Sequence, residues 1–416
     1  MAEVKSTIEA VKGFQVAGVH AGLKKDGILD FALIVSDTPC TAAGVFTTNL
    51  VKAAPVLVDM ERLQNHAHHI RAVAVNTKCA NACTGQQGID NALQTARWVA
   101  EHLGCDENEV LVLSTGVIGT QLPMDKIKHG IELAVDSLGA NNWEAAARAI
   151  MTTDTRPKMA SVDVDDYRIA GIAKGAGMIA PNMATMLGIV VTDGIITSDP
   201  GMMELLPGFF RATATTSFNR IVVDGDMSTN DTLFLLASGK SNVVIEPNIN
   251  SEQHNWHNWT WKLGEVCEKL AKDIVRDGEG VTKFITVDVG GALDEDIAHQ
   301  IANTIATSPL VKTAFYGNDA NWGRIVAAAG RAGVPVNPDK MRLWIFPGEK
   351  SSRENSLLLF ENGIPTKYSE EQATEIISQS SVGITLDCGM GGDAEATIWT
   401  CDLSHDYVSI NGSYRS

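Results

Sequence analysis

Residues 174–193, Lys174-Gly-Ala-Gly-Met-Ile-Ala-Pro-Asn-Met-Ala-Thr-Met-Leu-Gly-Ile-Val-Val-Thr-Asp193, constrain this chain more than any other stretch. A glycine-rich turn runs through Pro181 and Asn182 to Thr185, and the β-branched run Ile189-Val190-Val191 then reads as a buried strand. Gly175, Ala176, Gly177 and Ala184 are small, so backbone can pass close to the Thr185 hydroxyl and take positive φ. That suits a threonine that attacks a carbonyl, its own included. A plain loop between two strands has the same composition, and composition by itself favours the loop. Gly175–Ala180 also fits a loosened dinucleotide-binding fingerprint. Such a motif must open a crossover helix of about ten residues or more. Pro181 and the Ile189 strand leave no room for one.

At 416 residues the chain is long for a single core, which predicts two lobes or two domains. A hydrophobic fraction of 44% and a charged fraction of 20% are those of a soluble globular protein. No apolar run approaches membrane-spanning length. The segment Met1–Glu9 has acids and no apolar h-region, which predicts neither signal nor transit peptide and a cytoplasmic location. A formal charge of −17 makes nucleic acid and anionic membranes poor partners. The seven cysteines (Cys40, Cys79, Cys83, Cys105, Cys267, Cys388, Cys401) are odd in number and scattered, as reduced thiols are. Cys79 and Cys83 form a lone C-x3-C with no second pair, so no metal site is read there.

Helical and strand patterns alternate without a repeat. Ile89, Leu93, Ala96, Val99, Ala100 and Leu103 follow helical spacing, and Val110–Leu113 reads as a strand. Further helices are predicted at Trp143–Met151, Pro200–Thr213 and Asp294–Ile305. Further strands are predicted at Val281–Val289, Arg342–Phe346, Leu357–Phe360, Gly383–Leu386 and Ala396–Thr400. The strand content is high and the alternation is not strict, so an α+β layered sandwich is expected rather than a doubly wound sheet. Asn250–Trp261, with His254, Trp256, His257, Trp259 and Trp261, reads as a surface loop or helix start with a solvated face. His66, His68 and His69 read the same way, and no metal is assigned to either group.

Glycine-rich polar turns recur where strands should end: Ser114–Gly119, Asp224–Asp231, Asp277–Gly280 and Gly317–Arg324. The Asp224 segment carries Thr229 at its sixth position and Leu235 at its twelfth, so it is not an EF-hand.

Together these turns closely resemble those of the ornithine acetyltransferases, or glutamate N-acetyltransferases, of arginine biosynthesis. Lys174–Leu187 looks like the family's cleavage-site signature almost unchanged. Ser217–Asp231, Asn318–Ile325, Ser114–Gly119, Thr152–Thr155 and Asn411–Ser416 are similar to further family motifs, in the expected order along nearly the whole chain.

The resemblance implies the family's layered fold, in two lobes around one core, with the nucleophile at the start of a central strand. It implies a precursor that cuts itself between Ala184 and Thr185 into an alpha chain, residues 1–184, and a beta chain, residues 185–416. The freed α-amino group of Thr185, with an ordinary pKa of roughly 7.7–8.0, would serve as general base. Thr185 would then carry acetyl from N-acetylornithine to glutamate through an acetyl-threonine ester, with ping-pong kinetics. The same resemblance points to Thr115 and Gly116 as the oxyanion hole. It points to Thr152, Lys174, Thr185, Glu279, Asn411 and Ser416 as substrate contacts. Spacing does not separate Thr152 from Thr153, and Thr152 is preferred. No cofactor is implied. Some family members also accept acetyl-CoA, and no motif here decides that. A dimer of cleaved pairs is the implied assembly.

One departure stands out: Thr77-Lys78-Cys79 occupies the place where the family pattern usually reads Ser-Gly-Asn. Asn250–Trp261 also reads as an insertion. The competing enzyme class is a self-processing amidohydrolase or aminopeptidase using the same threonine with water as acceptor. A binding or scaffold protein would show neither cleavage nor an acetyl-enzyme.

Overall fold

The elements of the first half alternate as the hydrophobic patterns require. In chain order they are β1 (Phe14–Val19), β2 (Phe31–Phe46), α1 (Ala54–His66), β3 (Ile70–Asn76), α2 (Gly85–Leu103), β4 (Val110–Ser114), α3 (Met124–Asp136) and α4 (Trp143–Ala149). There follow β5 (Lys158–Val164), β6 (Tyr167–Lys174), β7 (Leu187–Thr192), β8 (Ile195–Ile196), α5 (Pro200–Thr215), β9 (Thr232–Ala237), β10 (Val244–Ile245) and α6 (Asn255–Val275). The computed structural model describes residues 3–180, 186–196, 200–246, 255–352 and 354–412. Contacts divide the chain into two compact units, Met1–Asn219 with Asp226–Ile274, and Arg220–Gly225 with Val275–Ser416.

In the first unit eight strands form one mixed sheet in the order β4-β3-β2-β9-β7-β6-β5, with β1 paired to β2. The 16-residue β2 organises it. Its first part, Phe31–Val35, pairs with β1 and β3, and after a register shift its second part, Thr41–Phe46, pairs with β9. The strands β9 and β7 run parallel to each other between β2 and β6.

Strand side chains alternate between faces with period two, and β2 shows the consequence. Phe31, Leu33 and Val35 pack with Ala92, Ala96 and Val99 of α2 and with Ile127 and Ile131 of α3. Ala32 and Ile34 pack with Trp143, Ala146 and Ala147 of α4. Helices thus cover both faces, which is the layered α+β arrangement expected from the sequence. The helix α2 ends at Gly104, whose left-handed φ of 65° lets its N–H reach back to the Ala100 carbonyl.

The second unit adds β11 (Phe284–Ala292), α7 (Glu295–Ala306), α8 (Pro309–Tyr316), α9 (Trp322–Gly330), β12 (Arg342–Pro347), β13 (Leu357–Glu361), β14 (Ile364–Pro365), α10 (Glu370–Ile377), β15 (Ser381–Asp387), β16 (Ala394–Cys401) and α11 (His405–Gly412). Its six-stranded sheet runs β14-β13-β12-β15-β11-β16. Its core gathers Val287, Val289, Ile301, Phe315, Ile345, Ile384 and Ile398. The two-lobed organisation expected from length takes the form of two units, each with core clusters of its own.

Two local expectations are revised. The strand predicted from Val281 begins at Phe284. Asp402 Oδ1 accepts from the amides of Thr282 and Lys283, each at 2.9 Å, so a carboxylate satisfies donors that a strand would present to a neighbour. The aromatic segment read as a solvated face opens α6, and Trp259 within it is fully buried. Its ring lies 5.6 Å from Phe209 and 5.4 Å from Trp256, while Trp261 stays exposed. Residues 250–254 of that segment, His254 among them, lie outside the described residues. All seven cysteines are free thiols.

Candidate active site

The turn after β4 is shaped by the loop that follows β3. Thr115 N–H donates to the Asn76 carbonyl at 3.1 Å, and Ser114 Oγ donates to Asn76 Oδ1 at 2.6 Å. Val117 N–H donates to the Lys78 carbonyl and Ala80 N–H to the Val117 carbonyl, both at 3.0 Å. Gly116 has φ 137°, and a Cβ there would lie 2.2 Å from the Lys78 carbonyl carbon. Only glycine fits. Among the described residues the Gly116 N–H makes no hydrogen bond, and the residue is half-buried.

Lys78 explains the glycine that the resemblance expects in its place. It sits at φ 71°, and Asn81 and Cys83 in the same loop are also left-handed, at 49° and 55°. A side chain at such a position costs about 1 kcal/mol.

Thr115 and Lys174 are brought together. Lys174, the last residue of β6, is buried, and its Nζ donates to Thr115 Oγ at 3.2 Å. The hydroxyl accepts from an ammonium, so its own proton is left to donate elsewhere. Lys174 also stands opposite Leu187 in the β6–β7 register.

Thr152 joins this group through Asp154. Asp154 Oδ2 accepts from Thr152 N–H at 2.9 Å, and Oδ1 accepts from Gly175 N–H at 2.7 Å and Lys158 Nζ at 2.6 Å. The carboxylate therefore ties the Thr152 turn to the end of β6. Burial pushes the Asp154 carboxyl up, but the charges of Lys158 and Lys174 and its hydrogen bonds outweigh that and bring it down to about 2.

Three contributors were missed in the sequence. Lys24 Nζ donates to the Met151 carbonyl at 2.7 Å, beside Thr152, and to the Leu29 carbonyl at 3.0 Å. Burial lowers its pKa to about 8; Asp30 and Asp154 oppose the shift, and Lys174 and Lys78 add to it. Asn230 Nδ2 donates to the Ala80 carbonyl at 2.6 Å and the Ser114 carbonyl at 2.8 Å, bracing the turn after β4. Asp231 Oδ1 accepts from Met186 N–H at 2.9 Å. The Asp224–Asp231 motif signalled the last two, because its tail of short polar residues suits backbone bracing. Lys24 left no signal.

Glu279 and Asn411 belong to the second unit, and there they meet: Asn411 Nδ2 donates to Glu279 Oε2 at 2.8 Å. The glutamate is buried in the Asp277–Gly280 turn, and Gly280 has φ 70° with the Tyr407 amide 2.5 Å from where a Cβ would stand. Ser404 Oγ donates to the Gly280 carbonyl at 2.6 Å and fixes the turn. Ala184, Thr185 and Ser416 lie outside the described residues.

Strand-end turns thus gather a backbone amide that makes no hydrogen bond among the described residues, a hydroxyl and buried lysines, groups that suit a polar binding site. Residues 15–416 match the model of the ArgJ family. The chain is 46% identical to arginine biosynthesis bifunctional protein ArgJ of Geobacter sulfurreducens, over 98% of this chain and 100% of that protein. It is 45% identical to the protein of the same name from Thermotoga neapolitana, over 97% of this chain and 99% of that one. A solved ArgJ structure from Bacillus halodurans is 39% identical, covers 54% of this chain and 98% of that chain, and superposes with a TM-score of 0.47. The chain belongs to the ArgJ family and is an acyltransferase of arginine biosynthesis.

Proposed function

We propose that the chain cuts itself between Ala184 and Thr185 and that Thr185 then carries acetyl from N-acetylornithine to glutamate. The observation that carries the reading is the pairing of Lys174 Nζ with Thr115 Oγ beside the unpaired Gly116 N–H. Lys174 pairs with Leu187 in the β6–β7 register, and Leu187 is two residues after Thr185 in sequence, which supports the reading.

For self-cleavage, Thr185 Oγ attacks the Ala184 carbonyl carbon, the C–N bond breaks, and the nitrogen takes the proton to become the free amine. Water then hydrolyses the ester. The two pieces stay joined because β7 and β9 of residues 185–416 lie between β2 and β6 of residues 1–184 in one ladder. In each transfer the α-amine of Thr185 takes the hydroxyl proton as Oγ attacks the acetyl carbon. That proton passes to the departing ornithine. Glutamate's amine then attacks the ester and restores the hydroxyl. Thr115 Oγ–H and Gly116 N–H stabilise the oxyanion, a contribution of about 10²–10³ per donor. By the family resemblance, Lys174 and Thr152 contact the substrate, Glu279 faces its amino end, and Asn411 and Ser416 close the pocket.

No cofactor takes part, and acetyl-CoA enters, if at all, as a second acetyl donor. The assembly is a dimer of cleaved pairs. A cytoplasmic location completes the reading, although a relative from Schizosaccharomyces japonicus, 44% identical, is named mitochondrial; no helix of the described residues is long and apolar enough to cross a membrane. The test is the intact mass of denatured protein, wild type beside Thr185→Ala. Two fragments, the larger beginning at Thr185, against one full-length variant support the reading. One full-length wild-type chain removes it. Acetyl transfer to glutamate with little hydrolysis separates it from an amidohydrolase.

A further inference from the structure

A buried carboxyl at the head of β9 takes no part in the chemistry above. Asp231 is fully buried, and its Oδ1 accepts from Met186 N–H at 2.9 Å. The next amide, Thr232 N–H, donates to the Met186 carbonyl at 3.1 Å, so two consecutive residues hold both peptide groups of Met186. Met186 follows Thr185 directly, so its nitrogen is bonded to the Thr185 carbonyl carbon. Asp231 is itself fixed, since its carbonyl accepts from Thr47 N–H at 2.9 Å. The Thr47 side chain and the Ser228 amide also act on the Asp231 carboxyl as hydrogen-bond donors. The preceding residue, Asn230, grips the Ser114 carbonyl at the turn after β4. One dipeptide therefore holds the turn with one side chain and the head of β7 with the next.

We propose that Asp231 is a positioning residue for Thr185, acting through the Met186 amide that it holds at the head of β7. The inference rests on the reading of Thr185 as nucleophile. Burial pushes the Asp231 carboxyl well above its ordinary range, a shift toward the neutral form. The grip needs an acceptor oxygen and no charge, so asparagine can supply it. Alanine leaves the buried Met186 N–H unsatisfied and frees the strand head to shift.

The test compares wild type, Asp231→Ala, Asp231→Asn and Thr185→Ala. Precursor is followed by intact mass over time, and acetyl transfer is measured on cleaved material. Misplacing a reacting group by about 1 Å costs about 10²-fold, so Asp231→Ala slows self-cleavage and kcat by about that factor with KM within about threefold. Asp231→Asn recovers both to within about fivefold, because it keeps the acceptor. Wild-type rates in Asp231→Ala, or an Asp231→Asn as slow as the alanine variant, overturn the proposal. Should Asp231→Ala fail to fold, Asp231→Asn decides: prompt cleavage supports it and a stalled precursor overturns it. Cleavage in Thr185→Ala would instead remove the nucleophile assignment, a failure read independently of both Asp231 variants.

Discussion

Asp154 and Asp231 are both buried at strand ends of one sheet, and both accept from backbone amides, yet their surroundings shift their pKa values in opposite directions. Asp154 has the Lys158 ammonium at 2.6 Å and Lys174 nearby, and it is brought down to about 2. Asp231 has amide donors and the more distant charge of Lys174, and burial pushes it up. An amide contributes a partial charge and an ammonium a whole one, so in a low-dielectric interior the cation decides. The lesson is that burial alone does not fix what a carboxyl does. At one corner it is an anion that anchors the Thr152 turn and the end of β6. At the other, burial shifts toward the neutral form a carboxyl that holds the head of β7.

The largest effect expected of this difference is on stability. Asp154→Asn takes the carboxylate charge from beside the buried Lys158 ammonium and costs about 3–5 kcal/mol, whereas Asp231→Asn keeps an acceptor oxygen and costs about 1 kcal/mol or less. Urea denaturation of both variants at neutral pH measures the gap. Equal costs would break the comparison.

Gly116→Ala comes next. Its Cβ would lie 2.2 Å from the Lys78 carbonyl carbon and 2.4 Å from the oxygen, so the turn must move and the Gly116 N–H with it. The expected loss in kcat/KM is about 10²–10³, that of one oxyanion donor. A variant of wild-type activity would show that this amide serves neither corner's chemistry.

The pH dependence of stability carries the comparison into titration. Asp154 has its folded pKa below the ordinary value of 3.8, so its contribution is complete above that value and is lost as pH falls from 3.8 to about 2. The amount is on the order of 2 kcal/mol. Asp231 has a folded pKa above 3.8, so its contribution is complete below that value and declines as pH rises toward the folded value. Asp154→Asn should flatten the acid limb below pH 3.8, and Asp231→Asn the slope above it. Denaturation across an acid-to-neutral pH series reads both. The same limb changing in both variants would refute the assignment of opposite shifts.

How much of this was visible in the sequence follows from what kind of signal each feature leaves. Periodicity marked α2, β4 and β7, because a buried face imposes a local rhythm on residue type. The motifs singled out Thr115, Gly116, Lys174 and Glu279, and the structure brings Thr115 and Lys174 within hydrogen-bond distance. The partners escaped. Lys24 reaches the Met151 carbonyl across 127 residues, and Asn230 reaches Ala80 across 150. A lysine in a loop and an asparagine in a turn look like surface residues until topology places a carbonyl in front of them. Trp259 was misjudged for a related reason: the polar residues around it reported the other faces of the same helix.

The smallest effect belongs to Lys78, whose charge acts on Lys24. Replacing it by glycine relieves a left-handed side chain at φ 71°, which should stabilise the protein by about 1 kcal/mol or somewhat less after the added freedom of glycine in the unfolded chain. It also removes one of the two positive charges that depress Lys24, whose pKa should rise from about 8. In the folded chain Lys24 is harder to protonate than in the unfolded one, so its burial penalty is present below about pH 8 and is relieved between there and 10.5. With Lys78→Gly the relief should begin at higher pH. A melting temperature raised at neutral pH, together with that shift on the alkaline side, would tie the loop's departure from its relatives to the electrostatics of Asp154. A higher melting temperature without the shift would confine Lys78 to backbone strain and leave that corner's charge balance to Lys158 and Lys174.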